Sequence, residues 1–280
     1  MALLTYYNGE FKRENEAFIP LCDRAVFFGD GIYDAALSKN GKIFMLSEHI
    51  ERFISNAEAL EISLPMSRDR LSDLLYEIAF RCASSSPLFL YFQLSRFGAE
   101  RAHAADDRDR SNLLITASEI SLPTPSDTLA LIGCEDRRHG ICNIKTLNLI
   151  LSCRAARQAR ERGADEAVFL RNGTVTECSH SNVHIIKDGI LLTHPADENI
   201  LPGISRKHML SVARELEIPI IEKGFSENEL LFADEVLVTS TSKLALRART
   251  YENRRYDTSE GTLGDKICLK MRRDFDIFTK

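Results

Sequence analysis

The sequence predicts an α/β fold built from amphipathic helices, buried strands and tight hairpin turns. Apolar residues recur at helical spacing between Ile50 and Leu60 and again between Leu71 and Ile78. The run 88–96 is almost continuously apolar, which is typical of a buried strand. Asn-Gly pairs, which favour the positive backbone torsions of hairpin turns, stand at 8–9, 40–41 and 172–173.

The first 120 residues predict a small α/β domain. A tight turn at 29–31 precedes a strand, and Ser47 is the predicted N-cap of the first helix. The segments predicted around them are a hairpin at 4–11, helices at 47–60 and 67–82, and strands at 88–96 and 112–116.

Residues 121–126 predict a linker, because two prolines in four residues interrupt regular structure. A larger domain is predicted over 127–280. Its predicted segments are a strand at 129–133, a helix at 147–162, hairpins at 166–177 and 183–193, a helix at 205–218, strands at 219–221 and 235–239, and a final helix at 263–275.

Composition indicates an ordinary globular chain of 280 residues, with 44% apolar residues, 28% charged residues and a net charge of -5. Basic residues are interleaved with acids or apolar residues, so nucleic acid is not expected as a partner. No stretch approaches the roughly 18 apolar residues of a membrane span. Seven cysteines without a Cys-x-x-Cys pair favour reduced thiols in a cytoplasm, and no metal site.

Lys145 is the first candidate for chemistry. It lies in an apolar and amide-rich run, 143–149, with no acidic residue within five positions. Partial desolvation favours the neutral amine, which can form a Schiff base with an aldehyde. The alternative is a lysine at the start of a helix whose ammonium group reaches solvent.

Six motifs, in order along the chain, resemble those of the fold-type IV pyridoxal-phosphate enzymes, and most closely the D-amino-acid aminotransferases. The motifs are 28–33 (Phe-Gly-Asp-Gly-Ile-Tyr), 48–52 (Glu-His-Ile-Glu-Arg), 144–148 (Ile-Lys-Thr-Leu-Asn), 173–177 (Gly-Thr-Val-Thr-Glu), 203–205 (Gly-Ile-Ser) and 238–242 (Val-Thr-Ser-Thr-Ser). The resemblance implies a small N-terminal α/β domain and a larger C-terminal domain of pseudo-barrel character.

The resemblance also implies a cofactor, pyridoxal 5′-phosphate, and the residues that hold it. Lys145 would form the Schiff base and carry protons, and Glu177 would keep the pyridine nitrogen protonated. Leu201 would pack on the ring. Donors to the phosphate would be Arg52, Ile204 and Ser205 at a helix start, and Ser240 and Thr241.

In the D-amino-acid aminotransferases of the family, an Arg-x-His pair and a tyrosine bind the substrate α-carboxylate, and the matching residues here are Arg101, His103 and Tyr33. Because that loop reaches the neighbouring subunit in the family, a homodimer is implied. Two residues depart from the family pattern. His180 replaces a serine, and Lys243 would favour an acidic substrate side chain or would simply be solvated.

The expected function is transamination of D-amino acids such as D-alanine, with a 2-oxo acid such as 2-oxoglutarate as acceptor. Three alternatives stay open at this stage: a branched-chain L-aminotransferase, an (R)-amine transaminase and an aminodeoxychorismate lyase. Arg101 and His103 argue against the first, which lacks this pair.

Overall fold

The computed structural model describes residues 3–83, 85–98, 101–104 and 110–280. The chain divides into two compact units. Unit 1 comprises Met1–Leu122, Ile144–Asn148 and Ile277–Lys280, and unit 2 comprises Pro123–Asn143 and Leu149–Asp276. Pro123 of the predicted linker is thus the first residue of unit 2, whereas the segment around Lys145 groups with unit 1.

Unit 1 is built on one antiparallel sheet. Its strands are β1 Leu4–Tyr7, β2 Glu10–Lys12, β3 Gly31–Lys39, β4 Lys42–Ile43, β5 Leu88–Arg96 and β6 Ser111–Glu119. They lie in the order β2-β1-β6-β5-β3-β4. Its helices are α1 Arg24–Phe28, α2 Leu46–Ala59 and α3 Arg68–Arg81, with a 3-10 turn at Glu14–Glu16.

Helices α2 and α3 place their apolar stripes in the core of unit 1, as the spacing predicted. Phe53 of α2 packs edge-on against Phe92 of β5, with ring centroids 4.9 Å apart, and both side chains are fully buried. Leu71 and Ile78 of α3 are fully buried as well. Ser67 caps α3 by accepting a hydrogen bond from the backbone N–H of Arg70 (3.3 Å).

The predicted N-cap of the first helix is wrong. Helix α2 begins at Leu46, and Met45, with φ +52°, occupies the N-cap position. A left-handed residue lets the chain turn sharply between β4 and α2, so the helix starts before Ser47. The Ser47 hydroxyl instead accepts a hydrogen bond from Arg68 (3.1 Å).

Unit 2 contains a ten-stranded sheet that curls into a half-barrel, in agreement with the predicted pseudo-barrel. The strands are β7 Thr128–Glu135, β8 Glu166–Arg171, β9 Thr174–Cys178, β10 Asn182–Lys187, β11 Ile190–Thr193, β12 Ile220–Glu222, β13 Phe225–Ser226, β14 Glu235–Ser240, β15 Leu244–Tyr251 and β16 Arg254–Arg255. The order is β12-β11-β10-β14-β15-β7-β8-β9-β13, and β16 pairs with β15. The helices are α4 Ile150–Glu161, α5 Ile204–Glu215, α6 Glu227–Leu231 and α7 Leu263–Phe278.

Both hairpins predicted in the C-terminal part are confirmed, but β13, α6, β15 and β16 were not predicted and the start of α4 differs from the prediction. Strand β15 was not predicted, because its Leu-Ala-Leu-Arg-Ala-Arg sequence consists of residues that favour helices. Its pairing with β14 and β7 decides its conformation. Helix α4 starts at Ile150 rather than near Leu147. Among the described residues, none of the helices has the length and apolar character that a membrane crossing requires.

Candidate active site

The segment that carries Lys145 runs beside the start of β3 in unit 1. The backbone N–H of Tyr33 donates to the Lys145 carbonyl (3.0 Å), and the Leu147 N–H donates to the Gly31 carbonyl (3.0 Å). A Cβ atom at Gly31 would lie 2.6 Å from the Leu94 carbonyl oxygen and 2.8 Å from a Leu147 methyl carbon. Only glycine therefore fits here, and these two hydrogen bonds explain why the segment is not helical.

The amine of Lys145 lies over an aromatic ring. Its Nζ is 4.2 Å from the ring centroid of Tyr33, and the lysine is half-buried. The Tyr33 ring stacks on Tyr91, with centroids 5.5 Å apart and an interplanar angle of 29°. Burial, with the neighbouring Tyr33, raises the pKa of Tyr91, so this phenol stays neutral at physiological pH. Two of the predicted site residues, Lys145 and Tyr33, are thus in contact.

Arg52 forms an ion pair with Asp34 of strand β3, the residue after Tyr33. Its Nε and Nη2 donate to the two carboxylate oxygens of Asp34, each at 2.8 Å, and His49 Nδ1 lies 2.8 Å from Asp34 Oδ1. Asp34 is fully buried. Burial raises the pKa of Asp34, but the charges and hydrogen bonds of Arg52 and His49 outweigh this effect and hold the pKa well below its usual range. The predicted phosphate arginine is therefore oriented by a buried carboxylate.

Arg101 and His103 lie on an exposed loop of unit 1, next to helix α1. The His103 ring is 5.3 Å from the Phe28 ring, and the Arg101 guanidinium carbon is 5.3 Å from the same ring centroid. Tyr33, the third predicted substrate residue, packs against Lys145 and Tyr91 instead.

In unit 2, the carboxylate of Glu177 accepts hydrogen bonds from three neighbours. Its Oε2 accepts from the Leu201 backbone N–H (3.0 Å) and from the Asn182 side-chain amide (3.1 Å), and its Oε1 accepts from Arg138. Glu177 is 5% exposed. Such a set of donors stabilises the anionic form and directs the carboxylate, which suits a partner for a protonated ring nitrogen. It also brings Glu177 and Leu201, both predicted site residues, together.

Arg138 links Glu177 to a second carboxylate. Its Nε and Nη2 donate to Asp136 (3.0 and 2.9 Å), and its guanidinium carbon lies 4.3 Å from the centroid of the Phe169 ring. Burial opposes the charged form of Arg138, but hydrogen bonding to Asp136 and the charge of Glu177 raise its pKa above the ordinary value. The arginine is permanently charged and holds the Glu177 oxygen that Asn182 does not contact.

Helix α5 offers an anion site at its N-terminus. Its N-cap, Gly203, makes no side-chain capping hydrogen bond, so the predicted phosphate residues Ile204 and Ser205 occupy an uncapped first turn. A Cβ at Gly203 would lie 2.1 Å from Asn182 Oδ1, which makes glycine necessary. Asn182 thus touches both Glu177 and the residue before the helix.

Ser240 and Thr241, the other predicted phosphate donors, lie at the end of β14. Ser240 is half-buried, with its Oγ 3.4 Å from the Ser242 hydroxyl. Unit 2 therefore provides hydroxyl groups and an uncapped helix N-terminus as donors and a fixed carboxylate as an acceptor. This set fits an aromatic cofactor that carries a phosphate and a basic ring nitrogen.

The two residues that depart from the family pattern form one cluster with a buried acid. Lys243 Nζ lies 3.0 Å from His180 Nε2 and 3.3 Å from Glu166 Oε2. Glu166 is fully buried and also accepts from Ser181 Oγ (2.5 Å). Burial raises the pKa of Glu166, but His180 and Lys243 lower it by more. Lys243 is therefore paired with the buried carboxylate of Glu166 and is not an isolated cation.

Residues 31–251 match the family described as amino-transferase class IV. The chain belongs to this family. The resemblance predicted from the motifs is thus confirmed, and the enzyme is an aminotransferase. Enzymes of this family use pyridoxal 5′-phosphate, which agrees with the donor set of unit 2.

Relatives in the class IV family include D-alanine aminotransferases. That of Staphylococcus haemolyticus is 36% identical over 241 residues, covering 85% of this chain and 85% of the relative. That of Listeria monocytogenes is 35% identical over 241 residues, covering 84% and 83%.

Solved structures in the family confirm the fold. A branched-chain aminotransferase from Thermoproteus uzoniensis, solved with norvaline, has a TM-score of 0.88 at 25% identity and covers 98% of this chain and 94% of that one. A putative 4-amino-4-deoxychorismate lyase from Legionella pneumophila has a TM-score of 0.84 at 23% identity, with coverage of 93% and 97%. A second branched-chain aminotransferase, solved with pyridoxamine 5′-phosphate, has a TM-score of 0.89 at 22% identity, with coverage of 98% and 94%.

Three charged or amide residues of the site were not predicted from the sequence: Asp34, Arg138 and Asn182. Asp34 carried a usable signal, since it is an acid inside an otherwise apolar strand and a buried acid needs a partner. Arg138 carried none toward Glu177, which is 39 positions away, and Asn182 carried none toward Leu201, which is 19 positions away.

Proposed function

We propose that the protein is a pyridoxal-phosphate-dependent aminotransferase that acts on D-amino acids such as D-alanine, with a 2-oxo acid such as 2-oxoglutarate as acceptor. The observation that carries the proposal is the Arg101-x-His103 pair on an exposed loop beside α1, in a chain 35–36% identical to D-alanine aminotransferases. An arginine and a histidine together provide charge and several donors for one carboxylate.

The residues of unit 2 would hold the cofactor. Ile204 and Ser205 in the first turn of α5, with Ser240 and Thr241 at the end of β14, would donate to the phosphate, and Arg52, which Asp34 orients, is the arginine that the family resemblance assigns to it. Leu201 would pack on the ring. The branched-chain aminotransferase solved with pyridoxamine 5′-phosphate has the same fold, which supports a cofactor of this chemical class. When bound, the cofactor accepts the amino group and withdraws negative charge from the substrate α-carbon.

Lys145 and Glu177 would be the catalytic residues of the chain. Lys145 would bind the cofactor aldehyde covalently and, once released by the substrate, move a proton between the two carbon atoms that exchange the amino group. Glu177, fixed by Arg138, Asn182 and the Leu201 N–H, would keep the ring nitrogen protonated. The face of Tyr33 beside Lys145 Nζ restricts where the free amine can move.

We also propose a homodimer in which the Arg101 loop serves the partner's site. Unit 1 exposes large apolar side chains, and one of them contacts that loop. Phe18 is 79% exposed and Leu21 70% exposed, and Phe27, over whose ring Arg101 lies at 5.7 Å, is 40% exposed. Exposed large apolar residues are typical of a surface that binds another protein, and a second copy would cover Phe27 beside the loop.

The substrate proposal is tested by single-turnover absorbance spectra of the holoenzyme. D-alanine, L-leucine and a primary amine without a carboxylate are mixed with it separately, and conversion to the aminated cofactor is followed. We expect conversion with D-alanine and at least 100-fold slower conversion with the other two. Faster conversion with L-leucine would identify a branched-chain aminotransferase, and faster conversion with the amine an amine transaminase.

One structural neighbour favours a lyase as a second candidate, since a putative 4-amino-4-deoxychorismate lyase shares the fold. A lyase would need the same lysine and ring-nitrogen acid. Release of pyruvate from aminodeoxychorismate, without any 2-oxo acid acceptor, would support that function and contradict transamination as the main activity.

A further inference from the structure

Arg24 connects the loop that carries Arg101 and His103 to the body of unit 1. Its Nη1 donates to the carbonyl of Ala102 (2.5 Å) and its Nη2 donates to the carbonyl of His103 (3.0 Å). Its Nε donates to the carboxylate of Asp30 (2.7 Å). Arg24 is only 6% exposed, so one buried guanidinium joins a carboxylate to two consecutive backbone carbonyls of the loop.

Asp30, the anchor of Arg24, is fixed in turn. The same carboxylate oxygen accepts from Arg96 Nε (3.1 Å). The terminal nitrogens of Arg96 donate to the carbonyls of Leu60 and Glu61 (2.5 and 2.9 Å) at the end of α2. The position of Arg24 is therefore determined by strand β5 and helix α2 rather than by the loop that it holds.

Helix α1, which carries Arg24, is also attached firmly to the sheet. Asp23 caps the helix by accepting from the Ala25 N–H (2.8 Å). Its other carboxylate oxygen accepts from Ser95 (2.8 Å) on β5 and from Asn112 (2.6 Å) on β6. A buried carboxylate with three donors leaves α1 little freedom to move relative to the sheet.

Phe28, in the last position of α1, supports the side chains of the loop. The guanidinium carbon of Arg24 lies 4.5 Å from its ring centroid, and that of Arg101 lies 5.3 Å from the same centroid. The His103 ring is 5.3 Å away, tilted by 53°. Both side chains of the Arg-x-His pair thus contact one ring of α1 while Arg24 holds the backbone between them.

We propose that Arg24 is a positioning residue for the substrate carboxylate, which holds residues 102–103 in the conformation that presents Arg101 and His103. The inference rests on the proposed function. Without Arg24, the loop would become ordered only when substrate binds. The conformational entropy lost at that step would weaken the binding of substrate. A lysine cannot replace the arginine, because a single ammonium group lacks the planar fork that reaches one carboxylate and two carbonyls.

The test is a double-mutant cycle on the holoenzyme with Arg24→Gln and Arg101→Ala, measured by steady-state kinetics with D-alanine. We expect Arg24→Gln to raise KM for D-alanine at least tenfold, with kcat within threefold of wild type and the cofactor absorbance unchanged. Because Arg24 acts through the loop, adding the Arg24→Gln substitution to the Arg101→Ala variant should raise KM less than threefold further. An unchanged KM, a kcat that falls as much as KM rises, or fully additive effects would overturn the proposal.

Arg247 provides a matched control in unit 2. It is 3% exposed, and its Nη1 donates to the carbonyls of Thr258 and Ser259, each at 2.8 Å, while its Nη2 lies 3.1 Å from Asp265. Arg247→Gln should lower Tm without raising KM. An equal rise of KM in Arg247→Gln would attribute the effect to general destabilisation and overturn the proposal.

Arg24→Lys, which keeps the positive charge, is measured in parallel. It replaces Arg24→Gln as the test if the glutamine variant does not fold. We expect it to raise KM at least fivefold, and a wild-type KM in this variant would contradict the inference. If wild type does not react with D-alanine, or Arg101→Ala leaves KM unchanged, the proposed function fails. If Arg101→Ala raises KM and neither Arg24 variant does, only the role of Arg24 fails.

Discussion

At the scale of single residues, the proposed mechanism of this aminotransferase depends on a carboxylate whose position and charge are set by its neighbours. Glu177 accepts from a guanidinium, an amide and a backbone N–H. Each donor favours the ionised form, and Arg138 is itself held by Asp136. A glutamate at this position without these donors could rotate away from a ring nitrogen or take up a proton.

Glu177→Gln removes the charge and keeps the shape of the side chain. We expect kcat to fall about 100-fold or more, the scale of losing one electrostatic contact to the transition state, while cofactor still binds. Stopped-flow absorbance with D-alanine measures the rate. Glu222→Gln, which removes a half-exposed partner of Arg206, is the control and should stay near wild type. A kcat within fivefold of wild type would contradict the role of Glu177.

Arg101→Ala should raise KM for D-alanine by about 10- to 100-fold, because a charge-assisted hydrogen bond contributes about 1.5–3 kcal/mol. Arg101 is exposed, so the cofactor spectrum and Tm should not change. Steady-state kinetics measures the change in KM. Arg110→Ala, an exposed arginine at the other end of the same connection, should leave KM unaltered. Equal rises of KM in the two variants would attribute the effect to the loss of any positive charge in this connection and contradict the role of Arg101.

The residues proposed to contact a cofactor or substrate could be named from the sequence because their types occur in short motifs at fixed spacing. Lys145, Glu177 and Arg101 were proposed in this way. The residues that orient them could not, since Arg138 precedes Glu177 by 39 positions and Arg24 precedes Ala102 by 78. Such pairs depend on which strands become neighbours, and a local pattern does not contain that information.

At the scale of elements, a buried ion pair joins strand β3 to helix α2. Asp34 accepts two hydrogen bonds from Arg52 and one from its neighbour's backbone N–H, Ala35 (2.7 Å). Removing one member leaves the other charged and buried, which costs more than the pair contributes when intact. The pair therefore orients Arg52. It also holds helix α2, which carries Arg52, against strand β3, which carries Tyr33.

Asp34→Asn should lower the free energy of unfolding by about 3–5 kcal/mol at pH 7, measured by urea denaturation. Asp234→Asn, which breaks an exposed pair with Lys187, is the control and should cost less than about 1 kcal/mol. A loss in Asp34→Asn no larger than in the control would show that the buried pair has little influence on stability.

The same pair predicts a pH dependence. Because the pKa of Asp34 is lowered in the folded protein, its contribution is fully present above the ordinary value of about 4 and is lost progressively as pH falls toward the folded pKa. The difference in unfolding free energy between wild type and Asp34→Asn should therefore be constant from pH 8 to 6 and shrink below about pH 4. A constant difference down to pH 3 would contradict the assignment.

Element prediction succeeded where periodicity and turn chemistry agree, as in α3 and the hairpin of β8 and β9. It failed where tertiary pairing overrides local preference. The segment around Lys145 reads as the start of a helix, yet its backbone bonds to Gly31 and Tyr33, so α4 begins only at Ile150. Lys145, the proposed Schiff-base lysine, thus lies on a non-helical segment, and the local sequence pattern does not indicate this.

At the scale of the whole molecule, the proposed dimer makes a specific prediction about mixed assemblies. Lys145→Ala chains, which should be inactive alone, and Arg101→Ala chains, which should be about 10- to 100-fold less active at D-alanine concentrations below KM, are refolded together or coexpressed with different tags and assayed at such a concentration. If the Arg101 loop serves the partner's site, the mixed dimer contains one site with both Lys145 and Arg101, and it should show about half of wild-type activity. Mixed dimers as inactive as the parents would show that each chain supplies its own loop.

The proposed function requires that the amine of Lys145 bind the cofactor covalently. The most direct test is reduction of the holoenzyme with borohydride, followed by proteolysis and mass spectrometry of the modified peptide. We predict one phosphopyridoxyl group, on the peptide that contains Lys145, and no labelled peptide in Lys145→Ala. Attachment to another lysine, such as Lys243, or a label that persists in Lys145→Ala, would contradict the account.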